Sequence, residues 1–196
     1  VVSPRSDEAA HSIVIAGNPN TGKSTLFNQL TGGSARVGNY PGITVERSQG
    51  RLALPDGETV TVLDYPGTYS LVARSPEEEL SLESIAGLPP LTAPDLVVVT
   101  VDASQLVSSG KKVESRQQEV AEFSRALKLL AKELDVPVIV ALNMVDTLVE
   151  TGQVVDETAL SLELGVPVVP IVARRGEGID ALSRATGETH AGCVST

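Results

Sequence analysis

The run Gly17-Asn18-Pro19-Asn20-Thr21-Gly22-Lys23-Ser24 has the spacing G-x-x-x-x-G-K-[ST], and those residue types in that order suit a phosphate chain. Glycines let the backbone close around an anion so that successive N–H groups and a helix N-terminus face it. Lys23 adds a point charge, and the Ser24 hydroxyl is a ligand for Mg2+. Two further segments offer matching groups. Asp64-Tyr65-Pro66-Gly67 sets a carboxylate near a glycine, so Asp64 could hold Mg2+ through water while Gly67 lies by a terminal phosphate. Asn143-Met144-Val145-Asp146 pairs an amide with a carboxylate, acceptor-only when ionised, which suits the paired N–H donors of a guanine edge. Thr44, within Val37 to Glu46 (VGNYPGITVE), could complete the Mg2+ shell when a γ-phosphate is present. Each short motif alone is common in turns; in this order, after successive strands, they point jointly to a nucleotide.

Those groups need a rigid sheet behind them. His11 to Ala16 reads as a buried strand, Gly17 to Gly22 as a loop and Lys23 to Leu30 as a helix, the context the first motif requires. Arg47 to Leu54 and Thr59 to Leu63 alternate as strands around the turn Pro55-Asp56-Gly57. Asp95 to Val101, Pro137 to Leu142 and Val166 to Val172 are near-continuous Val-rich runs, as in strands buried on both faces. Val113, Val120, Phe123, Leu127, Leu130 and Leu134 recur at helical intervals and predict an amphipathic covering helix over Val113 to Leu134. The alternation predicts an α/β fold with a six-stranded, mostly parallel sheet, one antiparallel edge strand and helices on both faces. Ligands on such sheets bind beyond the carboxyl ends of the strands, where the motifs fall.

Composition sets bounds on function. The 196 residues carry 15 Lys+Arg against 25 Asp+Glu, a net charge of −10, and 41% are hydrophobic, enough for one domain with a core. The acidic balance, with 3% aromatic residues and no Trp, argues against a protein that coats nucleic acid. The longest apolar runs, Leu96 to Val99 and Val136 to Leu142, fall far short of the roughly 20 residues a membrane helix needs. Cys193 alone closes no disulfide, which fits a reducing compartment. Val1 to Ala10 lacks the pattern of a signal peptide and reads as a trimmed or disordered end. His11 and His190 lie outside the motif loops and are expected at the surface or a strand edge. No grouping of His, Cys and carboxylate has the sequence spacing of an Fe2+ site.

Together GNPNTGKSTLFNQLTG, VGNYPGITVE, DYPGTYSL, ALNMVD and the ARRGEGI of Ala173 to Ile179 resemble the N-terminal cytosolic GTPase domain of the ferrous iron transport protein B family. The resemblance spans about residues 11 to 186 and implies a Ras-like P-loop fold there, with a tail at 187–196 leading toward a helical and transmembrane region. It makes Gly17, Asn18, Pro19, Asn20, Thr21, Gly22, Lys23, Ser24 and Thr25 the phosphate loop. Gly42, Ile43 and Thr44 become the first switch, and Asp64, Tyr65, Pro66 and Gly67 the second. Asn143, Met144 and Asp146 would read guanine; Val172, Ala173 and Arg174 form the last base loop, with the Ala173 N–H directed at the guanine oxygen. Lys23, Thr44 and Gly67 carry the catalytic roles, Ser24, Thr44 and Asp64 the Mg2+, and Asn20 a K+ ion. The implied function is a GTP-binding, slowly GTP-hydrolysing regulatory domain that controls Fe2+ uptake at the cytoplasmic face of a bacterial inner membrane. Its partners would be the transporter's own helical and transmembrane regions and small accessory proteins of iron uptake.

Two departures from the family pattern, and one difference from Ras-like enzymes at large, bear on that function. Val172 stands where the family often has a serine that shapes the base pocket. Thr68 stands where Ras-like enzymes place a water-orienting Gln, which predicts slow intrinsic turnover. Ser108 to Glu119 (SSGKKVESRQQE) reads as a polar insertion. Competing functions are a nucleotide-responsive binding module with negligible or base-unselective hydrolysis, a stand-alone ribosome- or RNA-associated GTPase, and an ATP-using P-loop enzyme. The net charge of −10 weighs against the RNA role, and the Asn143 to Asp146 motif against ATP.

Overall fold

The computed structural model describes residues 11–18, 20–34, 36–39, 46–64, 94–105, 136–150 and 152–194. The central strand is β1 (Ser12–Gly17), SIVIAG, and its alternation serves two cores at once. Ile13 and Ile15 face one side of the sheet, Val14 and Ala16 the other, and all four are buried, as a period of two demands of a strand covered on both faces. β4 (Thr59–Asp64) and β5 (Leu96–Asp102) flank it in parallel, Ile15 lying opposite Asp64 on one side and Val98 on the other. β6 (Val138–Asn143) and β7 (Val168–Pro170) continue in parallel beyond β5.

On the other flank β3 (Glu46–Ala53) pairs antiparallel with β4 through the expected hairpin, and with β2 (Arg36–Asn39) on its far side. The sheet order is β2-β3-β4-β1-β5-β6-β7. Among the described strands only β3 runs against the rest, as expected, but it stands one place in from the edge. The short RVGN segment of β2 takes the edge itself, and with four residues and a glycine it carries no alternation by which sequence could announce it. β7 is shorter than the expected Val166 to Val172. Pro167 and Pro170 have no N–H to give a ladder, and Val172 turns away to bridge Glu177.

Helices cover both faces. α1 (Lys23–Thr31) and α4 (Ile179–Val194) bury Leu26, Phe27, Leu30 and Leu182 against the Ile13 and Ile15 side. α2 (Val145–Glu150) and α3 (Glu157–Leu164) bring Leu148 and Leu164 to the Val14 side. Asp156 caps α3 by accepting from the Ala159 N–H at 2.9 Å, satisfying one of the free donors at the helix start. α4 runs on past Ala185, with Thr186 and His190 buried. Among the described residues no helix is long and apolar enough to cross a membrane. The helix expected over Val113 to Leu134 and the insertion expected at Ser108 to Glu119 lie outside the described residues.

Candidate functional site

β1 ends in Gly17, and its loop turns tightly against the ends of two neighbouring strands. A Cβ on Gly17 would sit 2.5 Å from the Thr100 carbonyl oxygen, and one on Gly22 would sit 2.2 Å from Asn143 Nδ2. Gly22 also holds φ +84, a left-handed conformation that side chains resist. These approaches require glycine at both ends of the loop, so the spacing of the motif is a packing necessity here. Between them Asn20 also takes a left-handed φ of 65°. Thr21 is buried, and its hydroxyl donates to the Asn18 carbonyl oxygen at 2.8 Å. α1 begins directly at Lys23, so its N-terminal N–H groups sit at this loop.

Lys23 reaches from α1 to the end of β4 and forms an ion pair with Asp64. Burial pushes the Asp64 carboxyl up, and the Lys23 charge and hydrogen bond pull it back only in part, leaving its pKa above the ordinary 3.8. When ionised, this carboxylate offers oxygen donors of the kind a divalent cation takes. Ser24, next to Lys23, is exposed on the first turn of α1. Ser24 and Asp64 thus supply hard oxygen donors, which is the donor set Mg2+ prefers.

At the end of β6, Asn143 is 3% exposed and fully engaged across loops. Its Nδ2 donates to the Thr21 carbonyl oxygen at 2.8 Å, and its Oδ1 accepts from the Ala173 N–H at 2.9 Å. The side chain expected to read a base therefore ties the phosphate loop to the loop after β7. The Ala173 N–H, expected to face a guanine oxygen, is given to Asn143. A buried amide must be hydrogen-bonded, and nothing in the sequence spacing shows with which loops. Met144 follows in a left-handed conformation, φ 62°, which turns the chain into α2.

Asp146, on the first turn of α2, is paired through Oδ2 with Arg174 and, at 3.5 Å, with Arg175. Burial pushes this carboxyl up, but the hydrogen bond and charge of Arg174 and the charge of Arg175 outweigh it and hold the pKa below 3.8. Its Oδ1 is buried and has no hydrogen-bond partner among the described residues. An orphaned acceptor beside a fixed loop can take an N–H donor from a ligand. Val172 is buried and precedes the 3-10 turn Ala173–Arg175 without a side-chain cap. Arg175 joins the site though sequence spacing singled out only Arg174; the adjacent like charge was the available signal.

The structure thus gathers Gly17, Asn18, Asn20 to Thr25, Asp64, Asn143, Met144, Asp146 and Val172 to Arg174 in loops and first turns at the carboxyl ends of β1, β4, β6 and β7. Pro19, Gly42, Ile43, Thr44, Tyr65, Pro66 and Gly67 lie outside the described residues. This sheet order, with a glycine-bounded phosphate-type loop at the end of its central strand, defines a P-loop domain of the Ras-like class.

The family model for ferrous iron transport protein B matches residues 11–109 and 118–186, and the gap between the two matches falls within the segment expected as an insertion. The Fe(2+) transporter FeoB of Salmonella typhimurium is 47% identical over 176 residues, which cover 89% of this chain and 20% of that protein. The G domain of the T. maritima FeoB iron transporter superposes with TM-score 0.71 at 30% identity, covering 92% of this chain and 99% of that one. The cytosolic domain of the same T. maritima protein in its GMPPNP form gives TM-score 0.71 at 31% identity, over 91% of this chain and 63% of that one. The chain belongs to the ferrous iron transport protein B family and corresponds to its N-terminal G domain. It spans one fifth of the length of the Salmonella relative.

Proposed function

We propose that this domain binds GTP and GDP with Mg2+, hydrolyses GTP slowly, and acts as the regulatory switch of a bacterial ferrous iron transporter, on the cytoplasmic face of the inner membrane. The observation that carries the reading is the orphaned Asp146 Oδ1, held beside the loop that Asn143 ties to the phosphate loop. A relative's structure in a GMPPNP form supports guanine as the base. In this reading residues 11–186 are the G domain, and the remainder of the transporter and small accessory proteins of iron uptake are its partners.

Phosphoryl transfer asks for position and charge more than for covalent chemistry. The loop N–H groups from Asn20 to Thr25 orient the phosphates, and Lys23 moves its ammonium from Asp64 to a phosphate oxygen. Ser24, Thr44 and Asp64 would hold Mg2+, which would neutralise charge on the phosphates. Gly67 meets the terminal phosphate, and Thr44 with Gly67 relaxes after hydrolysis, which is the switch. Asp146 accepts from the guanine edge while Arg174 lines the base. Thr68 offers no amide to orient water, so turnover stays slow unless K+ at Asn20 or a partner adds charge.

Calorimetric titration with GDP, GMPPNP and ATP in Mg2+ buffer, first with K+ and then with Na+, tests the reading. Guanine-selective binding and K+-stimulated turnover are expected. Equal affinity for GDP and ATP would show that Val172 loosens the base pocket and that the domain is an unselective NTPase; no binding would overturn the reading.

A further inference from the structure

At the other end of β1 from the phosphate loop, about 20 Å away at 3.3 Å per residue, three side chains from distant parts of the chain meet. His11 precedes β1, Glu58 leads from the hairpin turn into β4, and His190 lies on α4. His11 Nε2 is 3.6 Å from one Glu58 carboxylate oxygen, and His190 Nε2 is 3.5 Å from the other. The two imidazole rings meet edge to face with centroids 4.3 Å apart. His190, expected at the surface, is 2% exposed, and neither of its ring nitrogens has a hydrogen-bond partner among the described residues.

Asp95 fixes the geometry from behind. One of its oxygens accepts from the Ser12 N–H at 2.7 Å and the other from His11 Nδ1 at 3.1 Å. With the proton on Nδ1, the Nε2 lone pair of His11 points toward Glu58 and His190. A carboxylate behind an imidazole is the arrangement that orients metal-binding histidines. The ligand atoms of His11, Glu58 and His190 all lie within 4.8 Å of one another. A tetrahedral ion bound at about 2.0–2.1 Å sets its ligands about 3.3–3.4 Å apart; each imidazole lies 3.5–3.6 Å from one of the two Glu58 oxygens, so binding draws the three groups slightly together. A purely structural ion pair accounts for His11, but it leaves buried His190 without a hydrogen bond to either ring nitrogen among the described residues, where buried polar groups are nearly always hydrogen-bonded.

We propose that His11, Glu58 and His190 form a binding site for a first-row divalent transition metal, with Asp95 as the positioning residue. Two imidazoles and one carboxylate favour Fe2+ or Zn2+ over Mg2+ or Ca2+, and three protein ligands leave an open coordination position. Sequence spacing does not show the grouping because these side chains come together only through the sheet order and the packing of α4. The site is separate from the nucleotide loops and does not rest on the proposed nucleotide chemistry.

The test uses the untagged chain, stripped with chelator and titrated calorimetrically with Zn2+, with Fe2+ under anaerobic conditions, and with Mg2+. One equivalent of Zn2+ or Fe2+ is expected to bind and Mg2+ not to compete; the tighter of the two names the metal. Glu58→Gln should weaken binding at least 100-fold and Asp95→Asn between 10- and 100-fold, with GDP affinity unchanged in both. Substitution of buried His190 endangers the fold, so half-buried Glu58 is the primary variant, and circular dichroism confirms that it is folded. Co2+ loaded in place of the metal should give visible d–d bands in the parent that are lost in Glu58→Gln. Absence of stoichiometric binding, or binding unchanged by Glu58→Gln, would overturn the proposal.

Discussion

Replacing Asn143 with alanine separates two roles that its position leaves confounded. If the side chain is the strut between loops, its removal destabilises the chain before any ligand is added. The substitution deletes hydrogen bonds of 2.8 and 2.9 Å and strands the Thr21 carbonyl and the Ala173 N–H in a site where Asn143 itself is 3% exposed. Two such bonds contribute about 0.5–1.5 kcal/mol each, and a buried group left bare costs about 1–3. A loss of about 2–4 kcal/mol is expected, a large share of the roughly 5–15 kcal/mol that holds a domain together. Urea unfolding of the nucleotide-free chain at pH 7, followed by circular dichroism, should show the midpoint fall by about 1–2 M for an m-value near ~2 kcal/mol/M. Asn143→Asp refines the test: it still accepts from Ala173 but turns an acceptor toward the Thr21 carbonyl, so it should fall below the parent as well. An unmoved midpoint in Asn143→Ala, with only GDP affinity lost, would refute the strut and leave Asn143 as a base reader alone.

Other outcomes follow from the same geometry. Gly22→Ala places a Cβ 2.2 Å from Asn143 Nδ2 at φ +84; it should cost at least ~2 kcal/mol and abolish GDP binding, both seen in melting and calorimetry. Ser24→Ala, at an exposed position, should leave unfolding within about 0.5 kcal/mol of the parent while GDP affinity loses its dependence on Mg2+. Asp146 is held below its ordinary pKa of 3.8, the arginines outweighing burial. A depressed carboxylate contributes stability that is fully present above the unfolded value and lost as pH falls through the folded one. Unfolding of the parent should therefore steepen below about pH 4, and Asp146→Asn should flatten that slope; an identical slope would rule out the arginine pairing in solution.

The core strands were legible because their residues leave no alternative. The runs at Leu96–Asp102 and Val138–Asn143 are too apolar for any place but the middle of a sheet, and the loop at Gly17 announces itself by spacing. Legibility ends where backbone pairing or side-chain direction decides. β2 has no pattern, β7 is trimmed by its prolines, and the same Asn143 that suits a base edge turns out to bond two loops. His190 misled for a related reason. Sequence separation says nothing about distance when a hairpin and the end of α4 converge on the start of β1.

Lys23 and Asp64 pair directly at the carboxyl end of β4, each the counterpart of one half of a metal–phosphate ligand. A phosphate that arrives alone takes the lysine and abandons a carboxylate whose burial already raises its pKa. A phosphate that arrives with its divalent cation exchanges one internal contact for two, and no charge is left bare. In the proposed function, cation and nucleotide are thus coupled ligands: each strengthens the other's binding by the same factor. On that proposal, free nucleotide would compete poorly with its metal complex, and depleting the cation would empty the site even where nucleotide is plentiful.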